Sequence, residues 1–275
     1  MNMKLKKNIM MIIAVLCCFS CIACAKDGNT ASTENIKPPT QNSSKSKVQI
    51  TDTTSLTSEK KIVESASPVS PEYFDDVVFV GDSISEGLRK YVAYEKETSG
   101  IDYFGNAKYL TAVNFGIYNA LIGNSLPVYK GQKKPIEDNI AQMDVKKVYI
   151  LLGMNDLYID TDTFIKNYQE LINRILAKKP GLDIIIQSIT PITRLEESKT
   201  LNGEPSCLNR ANVGAANKAL KKMAEENNYY FLNVRSVLTD AEGYLPNNYS
   251  VDGTCHMVPK AFDIWIHYLQ THTLE

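Results

Sequence analysis

The sequence predicts an α/β domain in which strands and helices alternate around a parallel sheet covered on both faces. Two observations carry this reading. The apolar runs Val77-Val78-Phe79-Val80, Val148-Tyr149-Ile150-Leu151-Leu152 and Ile184-Ile185-Ile186 show no polar alternation, as expected of strands buried on both faces. The segments between them repeat apolar residues at helical spacing. Ligands of such sheets bind beyond the carboxyl ends of the strands, so the residues just after each run matter most.

Taken in order, the first strand covers 77–80 and stops at Gly81. Ser85, Glu86 and Leu88 open a helix expected over 85–94, with Leu88, Tyr91 and Val92 on one face. A serine at this turn, Ser83, stands beside a helix N-terminus, whose free N–H groups and partial positive charge suit a developing anion. A short strand is expected over 109–114, followed by a loop through Phe115-Gly116-Ile117-Tyr118-Asn119 and a brief helix over 136–143. The strand over 148–152 runs into Gly153-Met154-Asn155-Asp156. Phe164, Ile165, Tyr168, Leu171, Ile172, Ile175 and Leu176 then mark the clearest helix, ended by Pro180-Gly181. After the strand over 184–186, Val213, Leu220 and Met223 mark a helix ending near Asn227-Asn228. A strand over 230–234 and a loop over 240–254 lead to a last helix striped by Ala261, Ile264, Trp265 and Tyr268.

The preceding residues read differently. Lys4, Lys6 and Lys7 precede an apolar run over 9–19, too short to span a bilayer and shaped like an export signal. Cys21-Ile22-Ala23-Cys24 resembles a bacterial lipoprotein box, which implies lipidation at Cys24; Cys18-Phe19-Ser20-Cys21 is a competing box. Residues 25–70 are rich in Ser, Thr, Asn, Lys and Pro, and are expected to form a disordered tether. The folded domain is expected over 71–275, with 1–24 as the signal peptide. Cys207 and Cys255, the cysteines left in that domain, leave a disulfide open. The formal net charge is −1, without the basic bias of a nucleic-acid-binding chain.

The sequence holds three histidines. His267 lies in the last helix and His272 in the terminal tail, and both read as incidental surface residues. His256 shares the short loop Asp252-Gly253-Thr254-Cys255-His256 with an aspartate. A hydroxyl nucleophile needs a base near neutral pKa, and the base needs an acceptor to fix its tautomer. Ser83 and Asn155, each just past a strand end, share one rim. Asp82 and Asp156 read as scaffold groups that accept hydrogen bonds from loop N–H groups.

Gly81-Asp82-Ser83, Gly153-x-Asn155-Asp156, and Asp252 with His256 before a C-terminal helix resemble the SGNH (GDSL-type) hydrolase superfamily in the order of its motifs. That resemblance implies a doubly wound, flavodoxin-like three-layer sandwich with about five parallel strands. It implies Ser83 as nucleophile, His256 as general base, Asp252 as its orienting partner and Asn155 as an oxyanion donor. The N–H of Gly116 or of Asn119 completes the oxyanion hole. The family separates its last Asp and His by two residues, whereas Gly253, Thr254 and Cys255 intervene here. The implied function is hydrolysis of acyl esters through an acyl-enzyme, with an acetylated carbohydrate or cell-wall polymer as the expected substrate. Alternatives are a non-catalytic glycan-binding lipoprotein, and an acyltransferase or lipase on the same fold. No metal or cofactor is expected. The chain is expected to act as a monomer on the outer face of a bacterial cytoplasmic membrane, held there by its lipid alone.

Overall fold

The five expected strands form one parallel sheet. A computed structural model describes residues 60–201 and 204–275. In chain order the elements are β1 (Ile62–Glu64), β2 (Val77–Gly81), α1 (Ser83–Ser99), β3 (Lys108–Thr111), α2 (Ile117–Ile122), β4 (Val128–Tyr129), β5 (Gln132–Lys133), α3 (Ile136–Ala141) and β6 (Lys147–Leu151). There follow α4 (Thr161–Lys178), β7 (Asp183–Gln187), α5 (Arg194–Glu197), β8 (Thr200–Leu201), β9 (Glu204–Pro205), α6 (Arg210–Glu226), β10 (Tyr230–Leu232), α7 (Pro259–Thr271) and β11 (His272–Leu274).

The central sheet has the strand order β10-β7-β6-β2-β3, every pair parallel. Counting only its own strands, this is the doubly wound order 2-1-3-4-5 of flavodoxin-like sheets. Every residue of β2 is buried, as are the last four of β6 and of β7, so both faces are covered. On one face Phe79 and Tyr149 pack with Phe74 and Phe104 into an aromatic cluster. Trp265 is fully buried under α7, and its indole N–H donates to Gln187 Oε1 at 3.0 Å, which satisfies two polar groups that would otherwise be costly to bury. The order reverses between β2 and β6, and ligands of such sheets bind at that switch point.

Several expected boundaries change. The tether predicted over 25–70 stops earlier, because β1 pairs antiparallel with β11, Val63 opposite Thr273. The fold therefore includes residues that the composition of 25–70 disguised as linker; residues before 60 lie outside the described ones. The C-terminal tail is likewise a strand, and His272 is half-buried with its ring stacked on Tyr268. Within the segment expected as a loop, Ile117 onward is helical: α2 begins after Gly116 and ends at Gly123 in the left-handed region. The β4–β5 hairpin turns through Lys130 and Gly131, at φ 49° and 75°, the left-handed pair that two-residue hairpins require. Cys255 is a buried free thiol, so no disulfide joins it to Cys207. Among the described residues no helix is long and apolar enough to cross a membrane.

Beyond the strand pairing, Ser65 N–H donates to Thr271 O and Val69 N–H to Gln270 O, while Lys60 pairs with Asp183. A chain starting at Lys60 is expected to unfold at higher urea than one starting at Pro71, by about 2 kcal/mol. Equal midpoints and slopes would show that β1 contributes nothing.

Candidate active site

Gly81 ends β2, and the chain turns at once into α1 with Ser83 as its first residue. Asp82 is the N-cap: its Oδ1 accepts from Ile84 N–H at 2.9 Å, which fixes the turn. Asp82 is fully buried, and that burial, only partly offset by the Ile84 N–H, pushes its pKa up to about 7.

Ser83 Oγ lies 3.0 Å from His256 Nε2, and His256 Nδ1 lies 2.5 Å from Asp252 Oδ2. A carboxylate only accepts, so the imidazole proton sits on Nδ1 and Nε2 is left to accept from the Ser83 hydroxyl. Burial pushes the Asp252 carboxyl up, but bonds from His256 and Thr254 outweigh it and hold Asp252 well below the usual carboxylate range. Asp252 Oδ1 accepts from Thr254 N–H at 2.8 Å, Thr254 Oγ at 2.7 Å and Ser250 Oγ at 3.1 Å. Asp252 is thus an ionised acceptor fixed from several sides.

The three residues between Asp252 and His256 are accommodated by the loop itself. Gly253 takes φ 73°, where a side chain would be strained and its Cβ would meet Leu195 at 3.0 Å. Val251 N–H donates to His256 O and Val258 N–H to Tyr249 O, closing the loop as a small hairpin. Thr193, fully buried, then pins it from outside, with its N–H to Thr254 O at 2.9 Å and its Oγ–H to Gly253 O at 2.5 Å. Thr193, Ser250 and Thr254 were not legible as site residues. Hydroxyls in polar loops carry no spacing signal, and only the fold shows what they hold.

On the neighbouring strand, Gly153 leaves β6 at φ 130° and leads into a short 3₁₀ turn carrying Asn155 and Asp156. Asn155 Nδ2 donates to Phe115 O at 3.0 Å, which ties it to the peptide joining Phe115 and Gly116. Asp156, buried, accepts from Ile117 N–H at 2.9 Å and Tyr118 N–H at 3.1 Å, the first amides of α2. Its pKa is raised by burial, against those two bonds. Gly116 is required by close approach, since a Cβ there would stand 2.7 Å from Asp156 Oδ2. Both aspartates make the loop bonds expected of scaffold groups, though Asp156 secures α2 rather than its own turn. The Gly116 N–H donates to no protein acceptor among the described residues. Asn119 turns its side chain away to Asn114 O at 2.7 Å.

A doubly wound sheet with a serine–histidine–aspartate chain at its carboxyl rim defines a class of hydrolases. A family model, the GDSL-like Lipase/Acylhydrolase family, matches residues 79–267, and the chain belongs to that family, membership of which implies hydrolysis of esters. The fold is similar to that of a GDSL-like lipase from Bacteroides thetaiotaomicron, with 18% identity, TM-score 0.52, and coverage of 73% of this chain and 87% of that one. It is also similar to a candidate acylhydrolase from Bacteroides fragilis, with 17% identity, TM-score 0.54, and coverage of 70% and 84%. No curated protein matches the sequence.

Asp82 sets a pH signature. Its native pKa of about 7 exceeds the unfolded carboxylate value, so between those limits the folded state holds more protons. This group therefore removes stability as pH rises from about 4 to about 7, on the order of 3 kcal/mol. Asp82→Asn keeps an acceptor for Ile84 and cannot ionise. Urea unfolding at pH 5 and pH 8 is expected to show a smaller loss at high pH in the variant; identical losses would mean that Asp82 does not titrate in this window.

Proposed function

We propose that the protein is a serine esterase that cleaves acyl esters through an acyl-enzyme. The observation that carries this reading is the hydrogen-bond chain from Ser83 through His256 to Asp252. His256 Nε2 takes the hydroxyl proton as Ser83 Oγ bonds to the ester carbonyl carbon, and Asp252 stabilises the imidazolium that forms. The imidazolium gives its proton to the departing alcohol oxygen as the ester bond breaks. Water, deprotonated by the same imidazole, then attacks the acyl-serine and releases the acid.

The oxyanion is held by Asn155 Nδ2, the Ser83 N–H and the Gly116 N–H. Gly116 is a better fit than Asn119, because Asn155 fixes its peptide through Phe115 O while Asp156 already occupies the amides of Ile117 and Tyr118. As for setting, the reading takes residues 1–24 as a signal ending at lipidated Cys24, followed by a tether and a monomeric domain on the outer face of a bacterial membrane. Palmitate labelling that survives Cys24→Ala would remove the anchor from this reading. An enzyme so placed meets acetylated carbohydrate and cell-wall polymers, which are the proposed substrates.

Ser83→Ala is expected to abolish hydrolysis of p-nitrophenyl acetate. Asn155→Ala is expected to stay folded and lose on the order of 100- to 1,000-fold in kcat. Steady-state kinetics beside circular dichroism decide it: near-normal turnover in either variant would remove that residue from the mechanism.

A further inference from the structure

A groove of about 810 Å³ lies along the edge strand β3, between α1, β3 and the β4–β5 hairpin. Glu86 and Arg89 form one wall, Tyr109 and Thr111 the floor, and Tyr129 and Lys133 the far side. Two of its lining residues, Glu86 and Ala112, adjoin the turn that carries Ser83. Glu86 is one helical turn beyond Ser83, and Ala112, also in the lining, donates its N–H to Gly81 O at 3.2 Å.

The chemistry of the groove is set by a fixed ion pair. Glu86 accepts from Arg89 Nε at 2.8 Å, Arg89 Nη2 at 2.7 Å and Thr111 Oγ at 2.6 Å. Burial pushes the Glu86 carboxyl up, but these bonds outweigh it and keep it ionised. Arg89 spends two of five N–H donors on Glu86. The other three, and the hydroxyls of Tyr109 and Tyr129, have no protein partner among the described residues. Lys108 also lines the groove but its ammonium donates to Asp75 O at 2.6 Å, so one carboxylate faces two cations, Arg89 and Lys133. An alkyl chain laid here would strip water from charged groups and return no hydrogen bonds. A hydroxyl-rich anion would instead meet unspent donors, aromatic walls and an excess of positive charge.

We propose that this groove is the subsite for the alcohol side of the substrate, and that it takes an anionic sugar unit, carboxylate- or phosphate-bearing, linked to the residue that carries the acyl group. The proposal rests on Ser83 as the reacting group and deepens that reading into a substrate class. Arg89 and Lys133 are its specificity-determining residues.

The test measures binding without turnover. Ser83→Ala protein is titrated calorimetrically with an acetylated uronate oligosaccharide, an acetylated sugar phosphate and a neutral acetylated xylo-oligosaccharide. At least one anionic ligand is expected to bind tenfold or more tighter than the neutral one, with affinity falling as salt rises. The two anionic arms separate carboxylate from phosphate. Adding Arg89→Gln is expected to cut the anionic advantage about tenfold, and adding the exposed Lys133→Gln about threefold. Equal binding of neutral and anionic ligands, no binding of either anion, or an anionic advantage that survives both substitutions would overturn the subsite. Hydrolysis of p-nitrophenyl acetate by the wild type is assayed alongside. Its absence would count against Ser83 as nucleophile, while the titrations would still decide the groove.

Discussion

The parallel pairing of β2 with β6 is the constraint from which the site follows. Gly81 stands opposite Leu151 in that ladder, so the two strands end level and release their loops on the same rim. One loop carries Ser83 and the other Asn155. A shift of register would separate them along the strand direction by about 3.3 Å per residue, and the proposed nucleophile and proposed oxyanion donor would no longer share one rim position. The crossover order 2-1-3-4-5 opens a crevice at this pair of strands and at no other position in the sheet.

Around that pair, short side chains convert backbone ends into a rigid frame. Asp82 caps α1, Asp156 caps α2 and Asn155 holds the Phe115 carbonyl. Burying two carboxyls costs stability, and the raised pKa values of Asp82 and Asp156 express that cost. What the frame returns, on the proposed mechanism, is preorganisation, with donors held in place before charge develops. The histidine loop is built on another plan. It is tied through Thr193 to the segment that follows β7 and closes on itself through Val251 and Val258, which is how it absorbs the additional residue between Asp252 and His256.

The sequence made the central strands legible because double-sided burial leaves unbroken apolar runs; it made Ser83 and Asn155 legible because their motifs sit at strand ends, and Asp252 and His256 because they share one short loop before the last helix. It hid what depends on long-range partners. β1 is three residues long and gains its stability from β11, more than 200 positions away, so local composition made it look like tether. Residues 117–122 lack a helical stripe, and α2 forms because Asp156 supplies the acceptor for its first amides. The groove beside β3 was illegible for the same reason: Glu86 and Thr111 meet only once the strand and helix are packed.

The central claim is that Ser83 is the group that attacks. The most direct measurement is reaction of the wild-type protein with a fluorophosphonate, followed by intact mass and peptide mapping. One adduct per chain, located on Ser83 and suppressed in His256→Ala, is the predicted result. A folded protein that takes up no label, or carries it on another residue, would contradict the account.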